Sequence, residues 1–425
     1  MSSEKEHGAA VTEKQKGLVP KLRFPEFRNT GEWEVAKLGD ISTVVRGGSP
    51  RPIEGFITMA AGGLNWLKIG DVDIEAKYVT KTQQKVRPEA LSKTREVYPG
   101  DLILSNSMSF GRPYIMRIKS CIHDGWIALT KIDKRVSREY LYYAIFAPKS
   151  QCYFLDYAAG SGVLNLNAEI IKDLTIPKPC LEEQQKIADC LSSLDDLITA
   201  EAKKLDALKV HKKGLMQQLF PREGETVPRL RFPEFRDAGE WEEKKLGDVA
   251  VFYKGKGLPK SVITPKGKNL CIHYGELFTE YPEVIKTVKR RTNLDENTFM
   301  SNENDVLMPT SDVTPSGLAK ACCIKSAGVI LGGDILIIRA NKQEIDGEFL
   351  ARHIRHLEQK VLQLVSGSTV FHLYAASIEK LALSFPLSLE QQKIADCLSS
   401  LDDLITAQTQ KLDALKTHKN PKFRD

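Results

Sequence analysis

The sequence predicts an α+β protein built twice over: two similar domains joined by two long helices that form an antiparallel coiled coil, with an internal pseudo-twofold repeat. Three observations predict it. First, VPKLRFPEFRNTGEWEVAKLGD at Val19 to Asp40 returns as VPRLRFPEFRDAGEWEEKKLGD at Val227 to Asp248, with five differences, and EQQKIADCLSSLDDLITA at Glu183 to Ala200 returns unchanged at Glu390 to Ala407. The offsets, 208 and 207 residues, mark two copies of one unit. Second, the intervening fillings, Ile41 to Glu182 and Val249 to Leu389, are 142 and 141 residues long but mostly unlike in sequence. Third, each copy ends in an apolar stripe with alternating three- and four-residue spacing.

In chain order, the charged stretch 1–17 reads as a disordered leader. The first domain is expected over 18–182, the first helix over 183–221, the second domain over 222–389 and a shortened second helix over 390–425. The fillings share sparse landmarks: Gly70-Asp71 with Gly275-Glu276, Glu139-Tyr140-Leu141 with Glu348-Phe349-Leu350, and Gly160-Ser161 with Gly367-Ser368. A common fold follows, with different surfaces. Short runs bounded by Gly, Pro and Asn read as strands: Asp101 to Leu104, Trp126 to Leu129, Val306 to Met308, and Gly333 to Arg339. The longest apolar stretch, Ala327 to Ile338, is interrupted by Asp334 and falls well short of the ~20 residues of a membrane helix, so it reads as buried strand. Phe349, Leu350, Ile354, Leu357, Val361 and Leu364 fall on one face of a single amphipathic helix, Glu348 to Leu364.

In the first long helix Ile187, Leu191, Leu194, Ile198, Leu205, Leu208, Leu215 and Leu219 form the seam, with polar Glu201 and Lys212 in two seam positions. From Gln184 to Leu219 it would run ~54 Å. The second repeats the stripe at Ile394, Leu398, Leu401, Ile405, Leu412 and Leu415, with Ser388 and Gln391 as a capping box. The two helices are expected to pair with each other rather than with other subunits, and the polar stretch around Ala202 reads as the weakest part of the seam.

Hydrophobic residues make up 42% and charged residues 27%, which fits a folded globular chain and excludes collagen-like or largely disordered classes. Met1 to Lys16 has no apolar core of a secretory signal, so a cytoplasmic location is expected. A net charge of +6 permits a polyanionic partner without demanding one. None of the eight cysteines forms a Cys-x-x-Cys pair, and Cys322-Cys323 reads as small core residues. His353 and His356 share a helix face without a third ligand, which reads as ordinary helix surface rather than metal.

Catalytic signatures are missing. No Gly-x-x-x-x-Gly-Lys-Ser/Thr loop is present, and Gly255-Lys256-Gly257 lacks the spacing. No Pro-Pro dipeptide occurs, so the Asn/Asp-Pro-Pro-aromatic loop that holds a flipped base for amino-methylation is missing. Asp71 followed by Glu75-Ala76-Lys77 resembles a nuclease carboxylate-lysine set only at a spacing common by chance in so charged a chain.

At Leu22-Arg23-Phe24-Pro25-Glu26-Phe27, Gly31-Glu32-Trp33, Glu182 to Ala188 and Gly214 to Phe220 the sequence strongly resembles the specificity subunits of type I restriction-modification enzymes, over almost its whole length. The resemblance implies two target-recognition domains, each binding one half of a bipartite, asymmetric double-stranded DNA sequence, and a chain that is not itself an enzyme. It also implies two modification (methyltransferase) subunits that use S-adenosylmethionine, and restriction subunits (translocase and endonuclease) that use ATP and magnesium; no cofactor is expected in this chain. One departure stands out. After Lys212 the first copy continues Lys213-Gly214-Leu215-Met216-Gln217-Gln218-Leu219-Phe220, whereas after Lys419 the second reads Asn420-Pro421-Lys422-Phe423-Arg424-Asp425, shorter by about two turns. A natural terminus and a truncated form are both open.

The candidate DNA contacts are polar and basic residues on loops, since Arg and Lys reach guanine edges and phosphate. In the first domain they are Arg46 and Arg51, flanking a Gly-Gly turn, Ser107 and Arg112, bracketing a Gly-containing loop, and Asn165. In the second they are Lys254, Lys256, Lys260, Lys289, Arg290, Arg291, Ser311 and His372. The Lys286 to Arg291 cluster is the strongest patch, because its four basic residues outweigh the local acidic background; replacing Lys289, Arg290 and Arg291 would lower the salt slope of binding by up to about three units. Two other functions compete: a self-contained restriction or methylation enzyme, opposed by the missing motifs, and a structural coiled-coil spacer, opposed by two large unlike domains.

Overall fold

The computed structural model describes residues 18–106, 110–158 and 166–419. Contacts divide the chain into Met1–Thr199 with Leu415–Asp425, and Ala200–Ala414. The first long helix, Leu181–Leu219, therefore belongs partly to each unit.

In the first unit a five-stranded sheet has the order Thr43–Arg46, Trp126–Thr130, Leu102–Ser105, Pro113–Met116, Tyr78–Val79. Its central strands are buried on both faces. Leu102, Leu104, Ile127 and Leu129 pack with Tyr140, Leu141 and Ile145 of the helix Arg138–Phe146, while Ile103, Trp126 and Ala128 pack with Leu67 and Ile122 of a second five-stranded sheet. Burial on both sides is why these strands are continuous apolar runs rather than alternating ones.

The repeated blocks clamp each other. Glu34–Lys37 pairs antiparallel with Thr175–Lys178, which brings the first block to the start of the long helix. There Arg23 donates to both carboxylate oxygens of buried Glu183 at 2.8 and 2.7 Å, and Trp33 Nε1 donates to the same carboxylate at 3.0 Å. Buried Gln184 accepts from the Ser137 amide at 2.9 Å and donates to the Arg135 and Pro179 carbonyls, tying the helix to the loop ahead of Arg138–Phe146. Each bond satisfies a polar group that burial would otherwise penalise.

The second unit has a main sheet in the same order: Ala250–Lys254, Ile335–Ala340, Val306–Pro309, Cys322–Ile324, Val284–Ile285. Its second sheet has three strands, Arg290–Thr292, Asn269–Ile272 and Ile330–Leu331. The run Ala327 to Ile338 is thus two strands split by the turn at Gly332 to Asp334. The clamp recurs with Arg231 on Glu390 at 2.8 and 2.7 Å, and with Gln391 accepting from the Asp346 amide at 3.0 Å. That use of Gln391, and a helix Ser388–Lys419 that already includes Ser388, replace the expected capping box.

The predicted helix from Glu348 to Leu364 breaks at Leu357 into Gly347–His356 and Glu358–Leu362. The break turns the second piece onto the 3-10 turn Pro315–Ala319, where Val361 is buried. His353 is a core residue, not helix surface: it is buried with Phe220, Trp241 and Phe349, and burial, reinforced by the charges of His356 and Lys360, pushes its pKa down to about 3. Cys322 and Cys323 lie in the core strand.

Within the second unit Glu201 meets Gln408, and Lys212 meets Asp402 at 2.6 Å, so the two helices run antiparallel. In the first unit Lys419 pairs with Asp195. The stretch around Ala202 is not a weak point, because Glu201 is buried and hydrogen-bonded.

Candidate nucleic-acid interface

The two main sheets present one feature in common. The edge strand Thr43–Arg46 ends in Gly47-Gly48, and Ala250–Lys254 ends in Gly255-Lys256. At both places the chain crosses the neighbouring turn so closely that only glycine fits: a Cβ on Gly47 would lie 2.2 Å from the His123 carbonyl oxygen, and one on Gly255 2.0 Å from that of Gly332. The glycines deliver a basic residue, Arg46 or Lys254, at the same point of each sheet.

In the first unit Arg46 and Arg51 converge on Asp124. Arg46 Nε donates to the Asp124 carbonyl at 3.2 Å, and the exposed guanidinium of Arg51 lies 3.4 Å from its carboxylate. Ser49 donates to the carboxylate at 2.9 Å, and His123 Nε2 lies 3.0 Å from it. Burial pushes the Asp124 carboxyl up, but the Ser49 hydroxyl and the charges of His123 and Arg51 outweigh it and hold the group below its ordinary value. Asp124 thereby holds both arginines at a solvent-facing turn, Arg51 through its carboxylate and Arg46 through its backbone carbonyl. Asp124, His123 and Ser49 were not among the sequence candidates; the Asp-Gly turn at Asp124-Gly125, beside two candidate arginines, was the available signal.

In the second unit Lys254, Ser311 and His372 line one cavity of about 300 Å³. The pairing of Ser311–Asp312 with Phe371–His372 brings the last two together, with Ser311 Oγ 3.0 Å from His372 Nδ1. Tyr374 stacks beside His372 at 6.0 Å between ring centroids, and Tyr253 adds a second aromatic wall. A cation, a hydroxyl, an imidazole and exposed aromatic surface make a site that can donate to and accept from base edges and stack on them.

The family profile described as the type I restriction modification DNA specificity domain matches twice, over residues 30–210 and 238–417. The chain belongs to that family. Three Methanocaldococcus jannaschii proteins are similar over nearly full length. The provisionally named MjaX type I restriction enzyme specificity subunit is 27% identical over 88% of both chains. The MjaVIII specificity subunit is 22% identical over 90% of this chain and 88% of its own. For the MjaIX specificity subunit the figures are 23%, 92% and 93%. Among solved structures, the S subunit of the type I system of M. genitalium superposes with a TM-score of 0.57 at 15% identity, covering 95% of this chain and 97% of the other. A chain from a study of complex assembly and conformational transition of the type I R-M system gives 0.58 at 15% identity, covering 92% and 96%. The protein is a type I specificity subunit with two recognition domains, and the two matched stretches coincide with the two copies read from the sequence.

The remaining candidates of this specificity subunit are less free. Arg112 is packed over the Phe146 ring at 4.8 Å with Glu75 at 3.8 Å, and only 16% of its side chain is exposed, so it supports the fold rather than projecting from a loop. Lys256 donates to Asn297 at 3.1 Å, and Lys260 lies apart, in a second cavity of about 490 Å³ with His273 and Glu276. The cluster expected to be the strongest patch is largely neutralised: Lys286 pairs with Asp403, Lys289 with Glu280 and Arg290 with Glu276 and Glu280, while Arg291 donates to the Gly267 and Lys268 carbonyls. The neutralising carboxylates arrive from other elements, so the basic run by itself does not show them. Ser107 and Asn165 lie outside the described residues. Among the described residues no group of three His, Cys, Asp or Glu could hold a metal ion, and no helix is long and apolar enough to cross a membrane.

Proposed function

We propose that this chain is the non-catalytic DNA-reading subunit of a type I restriction-modification complex, in which each recognition domain reads one half of a bipartite, asymmetric sequence. The two long helices set the gap between the half-sites and dock two modification subunits. Methyl transfer with S-adenosylmethionine, and translocation and cleavage with ATP and magnesium by restriction subunits, then belong to those partners, and the complex works in the cytoplasm. The observation that carries the reading is the pairing of nearly identical frames with unlike fillings. The same Arg–Glu clamp and the same glycine crossing carry Arg46 and Arg51 in one domain, and Lys254 with Ser311 and His372 in the other.

Exchanging Ile41 to Glu182 for the corresponding segment of a relative tests it. Sequencing the methylated sites of cells that carry the hybrid and its modification subunits should show one half-site changed and the other kept; a change in both halves would refute independent reading. The purified chain alone, given labelled S-adenosylmethionine or ATP and magnesium, should neither methylate nor cleave DNA.

A further inference from the structure

The block Glu183 to Ala200 is identical to Glu390 to Ala407, and the copies part company at the next residue: Glu201 in the first, Gln408 in the second. Both occupy the same seam position, 207 residues apart, and in the structure they face each other. Gln408 Nε2 donates to the Glu201 carboxylate at 2.6 Å and to its carbonyl at 3.0 Å, and Lys411 Nζ pairs with the other carboxylate oxygen. Glu201 is 9% and Gln408 6% exposed, flanked by buried Leu205 and Leu412.

An apolar seam that repeats itself creates an ambiguity. Whatever lets the first helix pair antiparallel with the second also lets it pair with the first helix of another copy, since the Ile and Leu residues are the same. Two chains can form two Glu–Gln seams, each within its own chain, or one Glu–Glu and one Gln–Gln seam between chains. The first arrangement gives each buried carboxylate an amide donor. The second sets two buried carboxylates against each other without one, and like charges in a desolvated interface are strongly disfavoured. Lysine does not alter the comparison, because Lys204 occupies in the first helix the place of Lys411 in the second. We propose that the Glu201–Gln408 pair is the determinant that makes the first helix select a second helix, its own chain's, and reject the first helix of a second copy.

The proposal has an unusual signature. Glu201→Gln makes every possible seam Gln–Gln, and Gln408→Glu makes every one Glu–Glu, so both remove the preference although one deletes a buried charge and the other adds one. Full-length chains carrying two different fluorophores are unfolded together, refolded as a mixture and examined by sedimentation and energy transfer. Both single variants should lower the apparent dissociation constant of the mixed dimer by about tenfold, to a similar extent, while the reciprocal double variant, Glu201→Gln with Gln408→Glu, returns to the wild-type value. If the pair merely stabilises the fold, thermal unfolding will rank the variants and dimer formation will either stay at the wild-type level or follow that rank, with Gln408→Glu far ahead of Glu201→Gln; either result overturns the proposal. The readout needs no DNA and no partner subunit, so its failure would leave the DNA-reading function untouched.

Discussion

The two units fasten their frames with the same Arg–Glu clamp and their fillings differently. Arg23 on Glu183 and Arg231 on Glu390 repeat at the same 2.7 Å, and Lys186 on Glu26 and Lys393 on Glu234 repeat at 3.3 and 3.2 Å. About three helical turns beyond Glu183 and Glu390, equivalent acids each hold a lysine, Lys419 on Asp195 and Lys212 on Asp402, but their other partners differ. Asp195 accepts from the neutral hydroxyl of Tyr143 at 2.8 Å, whereas Asp402 holds the guanidinium of Arg352 at 2.8 Å, with none of that side chain exposed. The frame thus offers each domain a fixed carboxylate, and each filling answers with its own donor. Recognition surfaces can diverge as long as one donor still meets that acid.

The largest difference between the units should appear when the acid is removed. Asp402→Ala strands a buried cation whose Nε and Nη1 have no hydrogen-bond partner and whose Nη2 keeps only Ser399, and removing one member of a buried ion pair costs roughly 3–5 kcal/mol. Asp195→Ala takes the acceptor from a tyrosine hydroxyl, a loss of about 1 kcal/mol, and unpairs Lys419 as Asp402→Ala unpairs Lys212, so the lysine loss is common to both variants. Thermal unfolding of the two variants should separate them by several degrees, and adding Arg352→Met to Asp402→Ala should recover most of the loss. Equal destabilisation would mean that the fixed acids do the same work in both units.

Acid should divide them next. His353 has a folded pKa of about 3, so between its ordinary value near 6.5 and about 3 only the unfolded chain takes up the proton, and stability falls as pH falls through that window. In Glu283 burial would raise the carboxyl, but the charges of Arg355 and Lys212 hold it at about 2, so its contribution also fades as pH drops below about 4.5. Both belong to the second unit, and Ala144 stands where the first unit would need His353. In a urea series at pH 4.5, a thiol reagent active in acid should reach Cys322 and Cys323 before Cys121, with the gap narrowing at pH 7.5. Simultaneous labelling at both pH values would refute this.

The parts that were legible in the sequence are those carried by repetition and by continuous apolar runs. Leu102–Ser105 and Trp126–Thr130 could be read because both faces are buried, whereas Ile57–Thr58 and Gln84–Val86 are too short to show a period. The clamp was visible as repeated words, but not as one object, since Arg23 and Glu183 stand 160 residues apart. The candidate site was legible only in part. Arg46 and Arg51 lie close enough in sequence to suggest a shared turn, but Asp124 reaches them from a different strand connection, and the neutralisation of Lys286 comes from Asp403 in the second long helix. Side chains that meet from separate elements leave no local pattern.

The smallest and sharpest contrast concerns salt. A cation that neutralises a DNA phosphate contributes ~0.9 to the slope of log binding constant against log salt concentration, because it releases a condensed counterion. A cation already held by a carboxylate must first give up that partner, so it contributes less. Arg51 is 82% exposed with one loose contact, and Arg46 gives only its Nε to a carbonyl, whereas Lys289 and Arg290 share Glu280 and Arg290 also holds Glu276. Replacing Arg46 and Arg51 with Ala should therefore lower the slope by nearly two units, and replacing Lys289, Arg290 and Arg291 by less than one, although the second variant removes more charge. Titrations of the assembled methyltransferase complex on its target from about 50 to 200 mM salt would measure both. A larger drop for the second variant would mean that DNA displaces Glu276 and Glu280 and that the second domain opens this cluster on binding.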